Sequence, residues 1–263
     1  MVDWDGAGYE QISDLQRTMA RRSLSRLVLR GDEECLDVGC GDGYVTRLVA
    51  AQLKTGSVLG VDASPRMVEA ARSAPIPEGS RVSFEIGNAL QLGLDRQFDL
   101  VFSFNVLHWI VDQRAVLAQL AAATRSTGHV VVQYVCGGPR PSLERVAMQV
   151  CAEPRWAGTF HGFHAPFIHV DPNSYANLVA AAGLRIQDFA VNDEEWDFGS
   201  REAFVRWCTV GFADWTARLA PVDVRAWVDD VVDRYQDVVG SPGLFRFLQL
   251  FAEMVPATVE KRP

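Results

Sequence analysis

Three alternating glycines mark the first candidate ligand-binding segment of this chain. Gly39, Gly41 and Gly43 lie in LDVGCGDGY, between an apolar stretch that predicts a strand and a pattern that predicts a helix. Glycine at such a turn lets the backbone pass close to a ligand and bend sharply into the helix. The spacing is GxGxG, since Tyr44 stands where the dinucleotide fingerprint GxGxxG would need glycine, and no GK[ST] follows as in a phosphate-binding loop.

A carboxylate at the end of the next apolar stretch is the second candidate. Asp62 closes SVLGVD, which predicts a strand. A carboxylate at this strand end can accept hydrogen bonds from both hydroxyls of a ribose. The alternative is that Asp62 only caps the following helix. Its combination with the glycine loop favours a nucleoside ligand.

Polar and aromatic residues follow a third apolar stretch, FDLVFSF. Asn105, His108 and Trp109 come directly after it in NVLHW. Histidine is the usual residue for removing a proton near neutral pH, so His108 is the candidate catalytic residue. The alternative is that His108 packs beneath the helix predicted at 115–124.

Strands and helices alternate around these candidates. Strands are predicted at 34–39, 57–62, 81–87, 98–104 and 129–135, and helices at 10–29, 44–53, 115–124 and from Pro65 onwards, with Ser64 as its N-cap. After residue 137 the patterns predict helices at 142–151, 173–182, 201–212 and 223–239, and strands at 184–191 and 244–255. Alternating strands and helices indicate parallel βαβ units in a doubly wound α/β sheet.

Four segments together carry a family resemblance. LDVGCGDG, VLGVDASPRMVEAAR, IGNALQL and FDLVFSFNVLHW follow one another within residues 34–135 and resemble the successive motifs of class I S-adenosylmethionine-dependent methyltransferases. The resemblance implies an α/β, Rossmann-like sheet of seven strands, doubly wound, with an antiparallel last strand and a helical cap. It also implies S-adenosyl-L-methionine as cofactor and S-adenosyl-L-homocysteine as product. Metal-dependent members need a cluster of carboxylates near the fourth strand end, where this sequence has FNVLHW with only Asp112 nearby, so no metal is expected.

The family pattern assigns the cofactor-binding residues. They are Tyr9, Asp37, Gly39, Gly41, Gly43, Asp62, Ala63, Met67, Asn88, Ala89, Phe104 and Asn105. In this pattern Asp37 supports the ammonium group of the methionine moiety and Asp62 holds the ribose. Asn88 departs from the pattern, which usually has Asp there. Its amide oxygen can still accept from the adenine amine, or Asn88 is a turn residue and the backbone of Ala89 recognises the base.

Three further segments resemble one group within the family. WDGAGYEQISDLQ, LHWIVDQR and VQY resemble the trans-aconitate and juvenile-hormone-acid methyltransferases. The resemblance implies O-methylation of a small-molecule carboxylate, with Gln16, Trp109 and Tyr134 binding the acceptor. Gln16 also shares the apolar face of the predicted first helix, where a buried amide needs a partner. His161 and His164, in a long aromatic loop, are additional candidates for the acceptor pocket.

Composition limits the classes of partner. The net charge of -8 argues against nucleic acid and anionic membranes, both of which require basic patches. The five cysteines are widely spaced without CxxC, so neither a disulfide framework nor a zinc site is indicated. The chain lacks a signal-peptide pattern and a long apolar run, which predicts a soluble cytoplasmic protein. Aromatic residues in the predicted cap favour an apolar or amphipathic small-molecule acceptor.

We expect a single domain over residues 1–263. Its cofactor-binding core would span 30–137, and the substrate lid would combine the N-terminal helix (1–29) with cap helices in the insertion at 138–240. Two alternatives to carboxylate methylation stay open. One is N-, O- or C-methylation of a bacterial secondary metabolite, and the other is a non-methylating cofactor-binding protein or cyclase. A nicotinamide-dependent dehydrogenase is disfavoured by Tyr44. The sequence leaves the acceptor and the oligomeric state undetermined.

Overall fold

A computed structural model describes residues 14–257. The strands are β1 (Glu34–Val38), β2 (Ser57–Asp62), β3 (Val82–Ile86), β4 (Phe98–Phe104), β5 (Thr124–Val135), β6 (Leu184–Asp197) and β7 (Leu244–Pro256). The helices are α1 (Asp14–Leu24), α2 (Tyr44–Ala50), α3 (Pro65–Ser73), α4 (Gln113–Ala123), α5 (Leu143–Cys151), α6 (Tyr175–Ala181), α7 (Arg201–Gly211), α8 (Ala213–Thr216) and α9 (Pro221–Val239). Short 3₁₀ turns cover Leu107–Trp109 and Pro172–Ser174.

The strands form one mixed sheet of seven strands. Their order is β3-β2-β1-β4-β5-β7-β6, in which the strands from β3 to β5 pair in parallel and β7 runs antiparallel to β5 and β6. The strand order reverses between β1 and β4, and ligands of such sheets bind beyond the carboxyl ends of the strands at this point. The predicted doubly wound, Rossmann-like sheet with an antiparallel last strand is therefore confirmed.

Helices cover both faces of the sheet, which explains why its central strands are nearly continuous apolar runs. Leu36 and Val38 of β1 contribute to the core shared with α4 and α6, while Cys35 contributes to the core shared with α1 and α2. The predicted start of α3 is confirmed, because Pro65 is its first residue and the Ser64 hydroxyl accepts a hydrogen bond from the Met67 amide at 3.2 Å.

The main departure from the predicted boundaries is in β6. This strand continues to Asp197, well past the predicted end at residue 191, because it pairs with β7 along its whole length, up to Asp197 opposite Leu244. Its second half is the polar sequence NDEEWD, which is compatible with the exposed position of an edge strand. Pairing with β7 thus overrides the low strand propensity of this segment.

A second apolar cluster, the cap, lies beyond the carboxyl edge of the sheet. It combines α1, α5, α7, α8 and α9 with Phe245 and Phe247 of β7. The two phenylalanines reach it because β7 extends past β5, whose last residue Val135 pairs with Gln249. Trp215 and Trp227 are completely buried in this cluster. The sheet and the cap therefore meet along the edge where ligands are expected.

The helices of residues 14–257 include none with the length and apolar character needed to cross a membrane. The cytoplasmic location stays a prediction.

Candidate active site

One cavity of about 500 Å³ lies at the junction of the sheet and the cap. The predicted cofactor residues that line it are Asp37, Gly39, Gly41, Asp62, Ala63, Met67, Asn88, Ala89, Phe104 and Asn105. Three predicted acceptor residues, Gln16, His108 and Trp109, line the same cavity. Tyr9 lies outside the described residues. The cavity thus brings most of the candidates from five separate segments together.

The glycine loop between β1 and α2 has its three glycines in the left-handed region of φ. A Cβ at Gly39 would approach a methyl carbon of Val106 to 2.5 Å, and a Cβ at Gly43 would approach the Phe84 ring to 2.6 Å. A Cβ at Gly41 would meet nothing within 4 Å, so this residue faces open space. Gly43 does not line the cavity and is required for the turn and for packing against Phe84, and its contact with the cofactor stays a prediction.

Asp62 ends β2 and holds the glycine loop. One carboxylate oxygen accepts from the Gly41 amide at 2.9 Å, and the other accepts from the Ser64 amide at 2.8 Å. Burial raises the pKa of Asp62, and these backbone hydrogen bonds oppose that shift. A carboxylate has about four acceptor positions, so two remain for other donors. Two adjacent hydroxyls of a ribose match this requirement.

Asp37 lies at the base of the cavity and is nearly completely buried. Its carboxylate accepts a hydrogen bond from the Thr46 hydroxyl at 2.7 Å. Burial raises the pKa of Asp37 to about 7, the Thr46 hydrogen bond opposes the shift, and the nearby carboxylates of Asp62 and Asp42 add to it. A cation beside this carboxylate would favour its ionised form. An ammonium group of a ligand would supply that cation.

Asn88 follows β3 and forms a turn. Its side-chain oxygen accepts from the Leu90 amide at 2.9 Å, while Asn88, Ala89 and Met67 all line the cavity. The turn role considered for Asn88 is therefore present. One lone pair of the amide oxygen remains for a ligand. Open space at Gly41, free acceptor positions on Asp62 and the buried Asp37 carboxylate together fit S-adenosylmethionine.

Asn105 turns the chain at the end of β4. Its φ of 59° lies in the left-handed region, which asparagine tolerates better than most residues. The Asn105 amide donates to the Gln133 carbonyl at 2.7 Å, and its side-chain oxygen accepts from Gln249 at 3.4 Å. This turn directs the 3₁₀ segment with His108 and Trp109 along the cavity wall. The change from apolar to polar residues after FDLVFSF therefore coincides with a change in the direction of the chain.

The acceptor side of the cavity contains polar atoms without hydrogen bonds to residues 14–257. The side-chain oxygen of Gln16, Nδ1 of His108 and the indole nitrogen of Trp207 are buried and have no partner in this part of the chain. The rings of His108 and Trp109 lie 4.8 Å apart, and Trp109 meets Trp215 edge to face at 6.4 Å. Buried polar atoms usually have partners, so these positions are candidates for ligand contacts.

His108 is a neutral imidazole in this environment. Burial lowers the pKa of His108 to about 3, with a smaller contribution from His169, whose ring lies 6.3 Å away. An imidazole of such low basicity is a poor proton acceptor but still forms hydrogen bonds. The catalytic role predicted for His108 stays a prediction, and a hydrogen-bonding role suits the ring better than proton abstraction.

Three predicted acceptor residues lie away from the cavity. Tyr134 is completely buried in the sheet core, where its ring packs against Tyr175 at 6.3 Å. Strand alternation explains this placement, because Val135 faces the cavity and Tyr134 faces the opposite side of β5. His161 and His164 are exposed and do not line the cavity. The structure does not bring these three residues to the cavity, and their substrate-binding roles stay predictions.

The sequence reasoning missed several residues of the acceptor side. Glu144, Trp207 and Asp214 line the cavity, and His169 lies beside Glu144. Burial raises the pKa of Asp214. A signal for Glu144 was present in the helical spacing of α5, where Ala147 and Cys151 follow it at i+3 and i+7 on a buried face.

Within residues 14–257, no three His, Cys, Asp or Glu side chains are grouped closely enough to hold a metal ion. The five cysteines are all buried free thiols. The absence of a metal from the reaction stays a prediction.

Comparisons with known proteins identify the family. Residues 35–128 match the family model described as a methyltransferase domain. Trans-aconitate 2-methyltransferase of Methylobacterium radiotolerans is 30% identical over 192 residues, which cover 71% of each chain. The enzyme of the same name from Escherichia coli is 24% identical over 97% of this chain and 91% of its own length.

A solved structure supports the fold. Phosphoethanolamine N-methyltransferase 2 of Haemonchus contortus, determined in complex with S-adenosyl-L-methionine, superposes with a TM-score of 0.62 at 16% identity, over 96% of this chain and 57% of that one. Family membership favours methyl transfer over the dehydrogenase and the non-methylating alternatives. The chain belongs to the class I S-adenosylmethionine-dependent methyltransferases, in the group that includes the trans-aconitate 2-methyltransferases.

Proposed function

We propose that this methyltransferase methylates a carboxylate oxygen of a small-molecule acid. The observation that carries the proposal is that the Gln16 amide and the Trp109 ring line the same cavity as the glycine loop and Asp62. An amide and an indole N–H are both neutral donors suited to a carboxylate. The relatives named trans-aconitate 2-methyltransferase support the same acceptor class.

A carboxylate acceptor is compatible with the lowered pKa of His108 in the cavity. S-adenosylmethionine supplies an electrophilic methyl group when bound. A carboxylate is already ionised at neutral pH, so its oxygen needs no general base, and the neutral His108 imidazole is sufficient. What the protein contributes is orientation of the acceptor oxygen and exclusion of water.

We also propose that the cap excludes water from this reaction. The cap helices α5 and α7, the residue Phe212 that follows α7, and the described part of the N-terminal segment, α1, contribute apolar side chains to the cavity wall, among them Leu15 and Leu143. This arrangement supports the predicted substrate lid of 1–29 and 138–240 over the core of 30–137. It also supports an apolar or amphipathic acceptor.

A second candidate function is N-methylation of an amine. The buried Glu144 carboxylate on the cavity wall favours it, because a carboxylate attracts an ammonium group. In that case the acceptor nitrogen must lose a proton before or during transfer, and the low basicity of His108 does not favour this step. We therefore favour O-methylation of a carboxylate over N-methylation of an amine.

Trp109→Phe tests the carboxylate proposal. Removing the indole N–H should lower kcat/KM for acid acceptors by about tenfold, while the affinity for S-adenosylhomocysteine stays within about twofold. The assay follows methyl transfer to trans-aconitate and to a panel of mono-, di- and tricarboxylic acids and amines by mass spectrometry. Products formed from amines alone would overturn the proposal.

Trp156→Phe is the matched control. The Trp156 indole donates to Asp230 at 2.8 Å and lies outside the cavity, so its loss should leave acceptor kinetics unchanged. An equal loss of activity in both variants would assign the effect of Trp109→Phe to general destabilisation.

A further inference from the structure

Two buried glutamates of this protein differ in how their charge is compensated. The side-chain oxygens of Glu33 accept from the amides of Arg30 at 2.6 Å and Gly31 at 2.9 Å. Glu144 is also buried, with 6% of its surface exposed, yet within residues 14–257 its carboxylate makes no hydrogen bond and pairs with neither lysine nor arginine. The titratable side chain beside it is His169, whose Nε2 lies 3.7 Å from the Glu144 carboxylate.

His169 does not compensate the charge of Glu144. Burial lowers the pKa of His169, the Glu144 carboxylate opposes this shift and Arg145 adds to it, so the ring is neutral near pH 7. Its Nε2 is buried and makes no hydrogen bond to any residue that the structure describes. The His169 ring packs against the Phe167 ring, with the two centroids 4.8 Å apart, and the preceding Ile168 amide fixes the local backbone by donating to the His108 carbonyl at 2.8 Å. His169 is thus a fixed neighbour of Glu144 rather than its counter-ion.

The position of Glu144 gives its carboxylate access to a ligand. It lines the cavity from α5, among apolar neighbours such as Leu143 and Val135, whereas Gln16 and Trp109 line the cavity from α1 and the 3₁₀ turn. A buried carboxylate without a partner is costly, and such groups are usually paired or hydrogen-bonded. A donor on the acceptor molecule would supply the missing partner.

We propose that Glu144 determines acceptor specificity by binding a hydroxyl or ammonium group of the acceptor, distinct from the group that is methylated. The inference rests on the proposed function in one respect, since the methylated group is taken to be a carboxylate bound by Gln16 and Trp109. The preferred acceptors are then acids that carry a hydrogen-bond donor at a second position. Glu144 is the residue that distinguishes them from plain acids of the same length.

Binding measurements separate this inference from the proposed function. The probes are straight-chain acids of four to eight carbons, each in an unsubstituted, an ω-hydroxy and an ω-amino form. Calorimetry measures their affinity for the protein saturated with S-adenosylhomocysteine, which has no methyl group to transfer. Acids that bind as expected but are never esterified would contradict the proposed function and leave the role of Glu144 supported.

For the wild-type protein, we expect the best ω-hydroxy or ω-amino acid to bind about tenfold more tightly than the unsubstituted acid of the same length. Glu144→Gln removes the charge but keeps an acceptor oxygen, so it should weaken the ω-amino acid about tenfold and the ω-hydroxy acid less than threefold. Glu144→Leu should remove both preferences, and it should bind the unsubstituted acid at least as tightly as the wild-type protein does, because the unpartnered charge is gone. The two variants together distinguish an acceptor hydroxyl from an acceptor ammonium group as the partner of Glu144.

Glu202→Gln is the matched control, because Glu202 is exposed, pairs with Arg225 on the surface and lies outside the cavity. Unchanged affinity of both Glu144 variants for S-adenosylhomocysteine would verify that they fold. Equal affinity of the three acid forms at every length, absence of binding for all of them, or an equal loss for all three in Glu144→Gln would overturn the inference.

Discussion

The two ends of the cavity differ in whether their polar groups have partners within the protein. At the cofactor end, Asp62 accepts from two backbone amides, Asp37 accepts from Thr46, and Asn88 accepts from the Leu90 amide. At the acceptor end, buried atoms of Gln16, His108 and Trp207 have no hydrogen-bond partner among the described residues, 14–257.

This difference indicates two kinds of binding site. Groups held by the protein itself are already oriented before the ligand arrives, as suits a cofactor shared by a whole family. Groups without protein partners depend on the ligand to complete them, and a ligand that lacks the matching groups leaves them unsatisfied. The acceptor end therefore has the physical basis for strong discrimination between acceptors.

The largest effect is expected from Asp62→Ala at the cofactor end. The change removes the acceptor for the ribose and also the bond that holds the Gly41 amide. Loss of these charge-assisted hydrogen bonds should raise the Kd for S-adenosylhomocysteine by about a hundredfold or more, measured by calorimetry. Asp32→Ala, at an exposed residue paired with Arg30, is the control and should have no effect. An unchanged Kd in Asp62→Ala would contradict the assignment of this end to the cofactor.

Gln16→Glu is expected to have the next largest effect, at the acceptor end. It keeps the size of the side chain but places a negative charge against an acid acceptor, which should lower kcat/KM for acids by roughly a hundredfold. Gln16→Met removes the amide without adding charge, and about a tenfold loss is expected. Both variants should bind S-adenosylhomocysteine normally. If Gln16→Glu methylated acids as well as the wild-type protein does, Gln16 would not contact the carboxylate.

The pH dependence of cofactor binding tests the role of Asp37. The folded protein holds the pKa of Asp37 at about 7, above that of an exposed carboxyl, so the neutral form stabilises the ligand-free protein at low pH and this stabilisation is lost as the pH rises through 7. A ligand ammonium reverses the preference, because it favours the ionised carboxylate. The Kd for S-adenosylhomocysteine should therefore fall about tenfold between pH 6 and pH 8.

Asp37→Asn should abolish most of that pH dependence, which calorimetry at several pH values would measure. The same dependence in the variant would assign it to another group, of which Asp62 is the nearest candidate because its pKa is also raised.

The smallest effect is expected from Asn88→Asp. Aspartate would restore a charge-assisted hydrogen bond to the adenine amine, but the side-chain oxygen already accepts from the Leu90 amide. The Kd for S-adenosylmethionine should fall by no more than a few-fold. A weaker affinity would show that the turn, rather than the ligand contact, determines the residue at this position.

The two ends of the cavity also differ in how far their residues could be predicted from the sequence. The glycine loop, Asp62 and Met67 lie within short segments at consecutive strand ends, so local patterns were enough to predict where they meet. The VQY segment does not reveal which of its residues faces the cavity, and Tyr134 does not line it. Val135 faces it instead.

The acceptor end depends on tertiary contacts that no short segment contains. His169 reaches Glu144 because the loop after α5 returns to the sheet, where the Gly137 amide donates to the Val170 carbonyl at 2.8 Å. His161 and His164, in the same loop, point instead to solvent, although composition alone made them equally good candidates. The packing of this loop against the rest of the protein determines its path, and the residue types within the loop do not reveal that packing.

The central claim is that the cavity joins S-adenosylmethionine to a carboxylate acceptor. The most direct test uses S-adenosylmethionine with a carbon-13 methyl group, the purified protein and a panel of acids that starts with trans-aconitate. The chemical shift of the transferred methyl carbon reveals whether it is bonded to oxygen, nitrogen or carbon. We predict the signal of a methyl ester, while a signal of an N-methyl or C-methyl product in its place would contradict the account.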